Sequence, residues 1–422
     1  MKSRHGYYFF FLCIYTFTVS LWLHFYPGNF VSVIVFLCFS AVITSSLLIS
    51  WAAEAAEFSM SQGLAVAIVA LLQVVPEFMV EAVIAWHKEI SLMLANMTGS
   101  NRLLMGVGWP LIFVTSDIYS RVRNKKSISS IQLRPENIVE IAALFIASSY
   151  FVIVLLKRNL QVYDAIALGA IFIGYMYILR VLPKEEEEKK EDLLSMPRYL
   201  VSVGERKRGS LLLVIFLIGG ATMWAIADPF LLSVEKVAAG AGISAFVFVQ
   251  WVAPFLSEFP EKVTAFYWAR TIRLAPMALL NMISSKVNQW TLLVSMIPIV
   301  YSFSMGRVST IPLDNHHQEE ILLSMMMTFY GCAALAKLRF TKGNAIILFV
   351  LWIAQFLYPV SFTFMPELPI IGNNSRLIVS TLFAGFSIYE IARHRKEFQI
   401  ISGIKETIRL ARLRNRSVQG EK

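Results

Sequence analysis

Long apolar runs recur along this chain of 422 residues, and short polar or charged segments separate them. A membrane helix needs about 20 consecutive apolar residues to cross the hydrocarbon core of a bilayer. The pattern therefore predicts an all-α polytopic membrane protein with about 12 transmembrane helices. The predicted spans lie near 7–26, 30–57, 64–87, 92–116, 137–156, 160–182, 210–240, 245–269, 276–303, 319–337, 344–365 and 376–392.

Composition excludes several other classes of protein. Hydrophobic residues make up 57% of the chain and charged residues only 16%, whereas soluble domains average about 25% charged residues. The net charge of +10 comes from basic residues in short segments between apolar runs, so we expect no nucleic-acid partner. The three cysteines lie inside apolar runs and lack metal-ligand spacing; they are Cys13, Cys38 and Cys332.

The distribution of Lys and Arg predicts the orientation. With the N-terminus in the cytoplasm, most of the 38 basic residues fall on the cytoplasmic side of the membrane. Cytoplasmic loops of membrane proteins carry such an excess of Lys and Arg. The sequence therefore predicts an integral membrane protein with both termini cytoplasmic. The cytoplasmic segments would be 121–126, 183–209, 270–273, 337–342 and the tail.

Two copies of a short acidic motif indicate an internal repeat. Pro76-Glu77 recurs 184 residues later as Pro260-Glu261, and Gly99-Ser100-Asn101 aligns with Ser284-Ser285-Lys286 at an offset of 185. The span boundaries shift by a similar amount, which gives five helices per copy. Because five is odd, the second copy enters the membrane upside down, as in the inverted repeats of secondary transporters.

This repeat sets the predicted domain organisation. An extra helix flanks the two repeats at each end of the chain, a charged segment that we interpret as a solvated linker divides them, and a basic tail follows. The tail is compatible with an amphipathic helix on the inner leaflet or with a plain cytoplasmic extension. The segments are 1–29 (extra helix), 30–182 (first repeat), 183–209 (linker), 210–366 (second repeat), 367–392 (extra helix) and 393–422 (tail).

The paired motifs predict a cation site. A proline inside a membrane helix frees a backbone carbonyl, and a carboxylate at that depth is costly unless it faces a cavity or a partner. A two-fold relation between the repeats would bring Glu77 and Glu261 close together. Carboxylate, amide and hydroxyl oxygens suit hard cations such as Ca²⁺, so Ser100 and Asn101 join these glutamates as candidate ligands.

The motifs resemble those of the sodium/calcium exchanger membrane family, in the cation/calcium antiporter superfamily, of which this chain looks like a divergent member. That family carries a Leu-Pro-Glu type segment followed by a Gly-Ser-Asn segment in each of two inverted five-helix repeats. The resemblance implies a central site in which Glu77 and Glu261 are the principal ligands and bind Ca²⁺ or Na⁺ in alternation. It implies minor ligand roles for Ser257, Thr264, Ser100, Asn101 and Ser285.

Several positions depart from the family pattern. Lys286 stands where the family has asparagine, and an ammonium cannot coordinate a cation. Gln73, Val74 and Val80 replace hydroxyl residues. Two additional carboxylates lie near the motif glutamates, so the four glutamates and Lys286 would carry a formal charge of −3. We hypothesise that Lys286 pairs with one glutamate and replaces a transported ion. The additional carboxylates are Glu81 and Glu258.

Three further polar features have simpler interpretations. Arg102 and Lys262 each follow a motif residue, and one step along a helix turns a side chain by about 100°. We therefore expect them to face a loop, a headgroup or another helix. The metal-capable side chains of 316–320 lack a defined coordination spacing, which favours a solvated external loop.

The sequence therefore predicts a secondary active antiporter that moves Ca²⁺ or a related cation against Na⁺ or H⁺ by alternating access. The alternatives are a proton-coupled or monovalent cation exchanger, and a membrane scaffold or sensor that binds a cation without moving it. No catalytic motif or cofactor-binding motif occurs, so we expect neither an enzyme nor a cofactor. The expected partners are inorganic cations and the lipid bilayer, and the oligomeric state stays open.

Overall fold

The computed structural model describes residues 2–25, 31–57, 74–181, 193–364, 375–399 and 401–410. Most of this described chain is helical, which confirms the expected all-α class and satisfies the backbone groups of apolar segments. The helices are α1 (Lys2–Phe25), α2 (Val31–Glu57), α3 (Val75–Trp86), α4 (Ile90–Leu103), α5 (Trp109–Asn124), α6 (Ile138–Lys157), α7 (Val162–Val181), α8 (Ser195–Val201), α9 (Glu205–Gly240), α10 (Ala245–Ser257), α11 (Phe259–Ala269), α12 (Ala275–Asn288), α13 (Val294–Met305), α14 (Asn315–Leu335), α15 (Lys342–Phe364) and α16 (Ser375–His394).

Shorter elements join these helices. A π-helical segment, Leu104–Gly108, links α4 to α5, and another, Gln289–Leu293, links α12 to α13. A 3₁₀ turn, Pro135–Asn137, precedes α6. The four strands pair as two antiparallel ribbons, β1 with β4 and β2 with β3. The strands are β1 (Ser130–Gln132), β2 (Asn159–Leu160), β3 (Ile311–Pro312) and β4 (Arg339–Thr341).

Seven helices in the described residues are long and apolar enough to cross a membrane. They coincide with seven of the twelve predicted spans, and α10 and α15 are shorter apolar helices. Residues 64–73 of the predicted span 64–87 lie outside the described residues, and α3 occupies most of the rest of that span. The count of twelve stays a prediction. The seven are Gly6–Leu23, Val33–Ala56, Ile90–Asn124, Pro135–Lys157, Val162–Arg180, Lys207–Gly240 and Ser375–His394.

One predicted span is broken. The sequence suggested a continuous helix over 245–269, but α10 ends at Ser257 and α11 begins at Phe259, with Glu258 between them. Two prolines, Pro254 and Pro260, flank the break, and each lacks the N–H that would continue the helical hydrogen bonds. A hydropathy average over about 20 residues does not detect this break, because the apolar residues on both sides outweigh the short polar segment 257–262.

The first of two compact units consists of Met1–Asn96 and Lys184–Thr264. Within it α2 packs along α9, α1 packs on both, and α3 packs against α9 and α2. The segment 183–209, interpreted as a solvated linker, is packed in its described part. Leu193, Leu200 and Val201, in and beside α8, are buried in an apolar cluster with α2 residues. Burial of these apolar side chains stabilises the packing of this part of the segment against α2.

The second unit consists of Met97–Pro183 and Ala265–Lys422. Here α14 packs against α16 and α6, while α13 packs against α7. Its core contains two fully buried tryptophans, Trp109 and Trp290. Trp290 packs against Phe151 with ring centroids 4.1 Å apart, and Trp109 packs edge-on to Phe340 at 5.9 Å. Both ribbons lie in this unit and join a strand from before residue 183 to one from after residue 265.

Local backbone features recur at the spacing of the sequence repeat. The two π-helical segments lie 185 residues apart. Left-handed residues recur too: Lys88 with Ile272, Lys125 with Gly306, and Arg158 with Leu338, at offsets of 184, 181 and 180. Residues other than glycine seldom adopt a positive φ. Left-handed residues at matched positions of the two copies therefore indicate corresponding turns. The boundaries of the two repeats stay a prediction that these turns support.

A pair of neighbouring glycines in α9 provides a test of the packing in the first unit. Ser45 Oγ donates a hydrogen bond to the Gly219 carbonyl oxygen at 2.6 Å, and a Cβ on Gly219 would lie 2.6 Å from Ile49 Cγ1. Gly219→Ala should therefore destabilise the protein by about 1–3 kcal/mol through overpacking. The measurement is the thermal unfolding midpoint of purified protein in detergent.

Gly220→Ala is the matched control because a Cβ there meets nothing within 4 Å. The greater helix propensity of alanine should leave its unfolding midpoint unchanged or raised. Equal midpoints for the two variants would contradict the close contact between α2 and α9.

Candidate ion-binding site

Both Pro-Glu motifs begin helices, which corrects the expectation that each proline lies inside a membrane helix and frees a backbone carbonyl there. Pro76 and Glu77 lie in the first turn of α3, and Pro260 and Glu261 lie in the first turn of α11. Proline fits the first turn because the N–H that it lacks would have no intrahelical partner there. A carboxylate at the same place interacts favourably with the positive end of the helix dipole.

Glu77 and Glu81 lie one turn apart on α3, and both are buried. Asn96 of α4 donates a hydrogen bond from Nδ2 to Glu81 Oε2 at 2.5 Å. The other oxygen, Glu81 Oε1, is buried and has no hydrogen-bond partner among the described residues. The polar end of α3 thus presents a carboxylate oxygen able to bind a proton or a cation. The sequence analysis did not identify Asn96. The signal for it was an amide side chain within an apolar run of a predicted span.

The α10–α11 junction contributes a second set of polar groups. Glu258 forms a buried ion pair with Lys262, one turn later. Ser257 and Thr264 are buried, and Glu261 is half-buried. Ser257 Oγ donates to the Ala253 carbonyl oxygen at 3.0 Å, which leaves its acceptor lone pairs. The close approach of Glu77 and Glu261 stays a prediction.

The ion pair of Lys262 changes which lysine enters the charge count of the four glutamates. In the first unit the four glutamates would carry −4 if all were ionised, and Lys262 reduces this to −3. The sequence analysis obtained the same total with Lys286, which belongs to the other unit. Lys262 therefore does not face a loop or a headgroup, because the spacing of four residues places it over Glu258. Another buried carboxylate, Glu54 of α2, belongs to the first unit.

The remaining predicted ligands lie in the second unit. Lys286 Nζ donates to the Asn101 carbonyl oxygen at 2.7 Å, and Gln289 Nε2 donates to Ser100 Oγ at 2.7 Å. Ser285 is buried beside them in sequence. Asn101 Oδ1 is buried without a hydrogen-bond partner in the described part of the chain. The ligand roles of Ser100, Asn101 and Ser285 stay predictions.

Arg102 faces other helices, one of the three expectations for it. Its guanidinium forms an ion pair with Glu320 of α14 and donates from Nη1 to Gln355 Oε1 at 2.7 Å. Arg376 of α16 also binds Glu320, so two arginines share one buried carboxylate. Sequence reasoning missed this network because its members lie more than 50 residues apart.

The segment 316–320 is not a solvated loop. It forms the first turns of α14, where Asp314 is the N-cap residue and both His317 and Glu320 are buried. The capping aspartate begins the helix earlier than the apolar pattern suggested. His316, His317 and Asp314 bring their ligand atoms within 4.8 Å of one another.

Comparison with known proteins relates this architecture to transporters. The family model described as "Sodium/calcium exchanger protein" matches residues 29–181 and 211–360. The crystal structure of an H⁺/Ca²⁺ exchanger, CAX, has 32% sequence identity and a TM-score of 0.86, and the match covers 98% of this chain and 100% of that one. No curated protein matches this chain significantly in sequence.

More distant structures share the fold alone. The structure of native YfkE has a TM-score of 0.55 at 12% identity, and the match covers 85% of this chain and 99% of that one. The sodium–calcium exchanger NCX_Mj has a TM-score of 0.50 at 16% identity, with 78% and 99% covered. The family match extends over both predicted repeats and most of the chain. The chain is an integral, multi-pass membrane protein that belongs to the sodium/calcium exchanger family of membrane cation antiporters.

Proposed function

We propose that this chain exchanges Ca²⁺, or a closely related divalent cation, for protons across a membrane. The observation that carries the proposal is the buried polar group at the start of α3. There Glu81 binds Asn96 with one oxygen, holds the other without a hydrogen bond among the described residues, and lies one turn from Glu77. Intramembrane carboxylates of this kind usually belong to ion pathways or proton relays.

The carboxylates suit both partners of such an exchange. Ca²⁺ takes oxygen ligands, and carboxylates supply them with the charge that compensates dehydration of the ion. Two buried carboxylates one turn apart repel each other when no cation lies between them, and protonation of one relieves that repulsion. Glu77 and Glu81 can therefore alternate between a cation-bound and a proton-bound state, with Glu261 as the second principal ligand and Ser257 and Thr264 as minor ones.

Protons are a better counter-ion than Na⁺ for this sequence. A bound Na⁺ needs several oxygen ligands, yet Gln73, Val74 and Val80 replace hydroxyl residues of the family pattern, and Lys286 replaces an amide. A proton needs a single acceptor oxygen. The relative with 32% identity is described as an H⁺/Ca²⁺ exchanger, which supports the same choice.

The proposed reaction needs no covalent step and no cofactor. Protons leave the glutamates on one side of the membrane as Ca²⁺ binds, a change of conformation opens the site to the other side, and protons displace the Ca²⁺ there. The predicted orientation, with both termini in the cytoplasm, belongs to this proposal because it places most of the basic loop residues inside.

Ion flux in proteoliposomes tests the proposal. With the membrane potential clamped, an outward proton gradient should drive Ca²⁺ uptake, and an equal Na⁺ gradient should not. Glu77→Gln and Glu261→Gln should each reduce uptake at least about tenfold, since each substitution removes a charged ligand worth about 1.4 kcal/mol or more. The measurement is the initial rate of ⁴⁵Ca²⁺ uptake.

Glu390→Gln is a matched control, because Glu390 is also a buried membrane carboxylate but pairs with Lys337 in the second unit. It should retain uptake per folded molecule, with the folded fraction measured by gel filtration, because an uncompensated Lys337 lowers stability without removing a proposed ligand. Uptake driven only by the Na⁺ gradient would exclude the proton as counter-ion. Full uptake by the Glu77 and Glu261 variants would exclude the proposed site.

Lys286 provides a separate test of ion selectivity. If its ammonium replaces a transported cation, Lys286→Asn should restore the amide of the family pattern and create a dependence on Na⁺. The expected result is Ca²⁺ uptake that responds to a Na⁺ gradient, or a changed number of charges moved per Ca²⁺, which the current in a planar bilayer reports. Lys286→Met removes the charge without supplying a ligand and should not gain Na⁺ dependence. Unchanged selectivity and stoichiometry in Lys286→Asn would contradict the hypothesis.

A further inference from the structure

The turn before α14 is held in place by the β2–β3 ribbon. Asn159 and Leu160 pair with Pro312 and Ile311, and the next residue, Leu313, donates its N–H to the Arg158 carbonyl oxygen at 3.0 Å. The turn is therefore fixed by backbone hydrogen bonds on one side and by α14 on the other. The backbone of the turn is thus positioned without help from a ligand, and side-chain rotation alone adjusts the distances between the side chains.

Three metal-capable side chains converge on this turn. Asp314 Oδ1 accepts a hydrogen bond from the backbone N–H of His317 at 2.8 Å. The same oxygen lies 3.2 Å from the ring nitrogen His317 Nδ1. The His316 and His317 rings lie 6.1 Å apart, and one ligand atom from each of the three residues falls within 4.8 Å of the others. His317 is buried, His316 is half-buried and Asp314 is exposed, so the group has a packed base and an open side.

The same turn elsewhere in the second unit shows that the fold does not require these side chains. Next to the β1–β4 ribbon, Leu133 donates to the Leu338 carbonyl oxygen at 2.8 Å, which matches the contact of Leu313. The residues at the positions of Asp314, His316 and His317 are there Arg134, Glu136 and Asn137, 180 residues earlier. Asn137 caps that turn through its Oδ1. Capping alone therefore explains an aspartate at 314 but not two histidines.

The ligand chemistry differs from that of the glutamates. Two imidazoles and a carboxylate suit borderline divalent ions such as Zn²⁺, whereas Ca²⁺ prefers an all-oxygen shell. Ligand atoms around tetrahedral Zn²⁺ lie about 3.4 Å apart, for bonds of about 2.0–2.1 Å. Small rotations of exposed Asp314 and half-buried His316 would close the present separation. The nearby guanidinium of Arg376 is bound by Glu320, which limits its repulsion of a metal ion.

We propose that Asp314, His316 and His317 form a binding site for Zn²⁺ or a similar transition-metal ion. The site is distinct from the glutamates proposed to carry the transported cation, and water would complete its coordination. An ion bound there would further restrain the start of α14. That helix carries Glu320, which forms the ion pair with Arg102.

Zn²⁺ titration of the tag-free, full-length protein in detergent tests the site. Isothermal titration calorimetry in an excess of Ca²⁺ should reveal one Zn²⁺ per chain with a Kd below about 10 μM. Asp314→Asn and His316→Asn should each weaken that Kd at least about tenfold. Asparagine is a good N-cap residue, so Asp314→Asn removes the carboxylate while it preserves the start of α14. Thermal unfolding midpoints without metal check that both variants fold.

His87→Asn is the control, because His87 contacts Asp228 at 2.6 Å in an exposed pair in the first unit. It should bind Zn²⁺ as the wild type does. A wild-type Kd weaker than about 10 μM, an unchanged Kd in both turn variants, or an equal loss in His87→Asn would overturn the proposal. Because binding is the readout, the result is independent of whether the protein transports Ca²⁺.

Discussion

The cost of burying charge in an apolar interior is the constraint on which the rest of this structure depends. Three buried cations in the described chain are paired with carboxylates: Lys262 with Glu258, Arg102 with Glu320, and Lys337 with Glu390. In such a pair each partner compensates the charge of the other. Lys286, also buried, donates to the Asn101 carbonyl oxygen. Glu81 is different, since its hydrogen-bond donor is the neutral amide of Asn96. A carboxylate held by a neutral donor can exchange its own cation or proton, whereas one held by an arginine cannot do so without breaking an ion pair.

The repeat is expressed in backbone geometry as well as in sequence. The π-helical segments and three pairs of left-handed residues recur at offsets between 180 and 185. The ribbons follow the same logic, because the strand before α6 pairs with the strand before α15, and the strand before α7 pairs with one that precedes α14. At these offsets β1 corresponds to β3 and β2 corresponds to β4. A two-fold relation between the copies therefore converts the β1–β4 pair into the β2–β3 pair. The offset changes from 185 at the π-helical segments to 181 at the next left-handed residues, because α13 has 12 residues where α5 has 16. The second copy is therefore about one helical turn shorter at this place.

Much of this was predictable from residues that are near each other in sequence. Apolar runs predicted the helical class and seven spans that the structure contains, and the spacing of Pro76-Glu77 and Pro260-Glu261 predicted the repeat. Hydropathy could not show that each proline begins a helix, because a window of about 20 residues averages the short polar segment at Glu258 with the apolar residues on both sides. The pairing of Lys262 with Glu258 was readable from its four-residue spacing. The network of Arg102 was not, since its carboxylate lies 218 residues away and nothing local identifies it.

The helix α16 lies outside the predicted repeats, and its packing shows what it contributes to the second unit. Arg376 near its start binds Glu320 in the first turns of α14, and Glu390 near its end binds Lys337 just beyond the last residue of α14. Two ion pairs therefore fasten α16 along the whole length of α14, and Asn344 adds a hydrogen bond to Glu390 at 2.7 Å. Removal of either carboxylate would leave an uncompensated buried cation, which costs more than the loss of a surface pair. The extra helix is thus a structural part of the unit that holds Arg102, and its sequence is constrained by buried charge as well as by lipid.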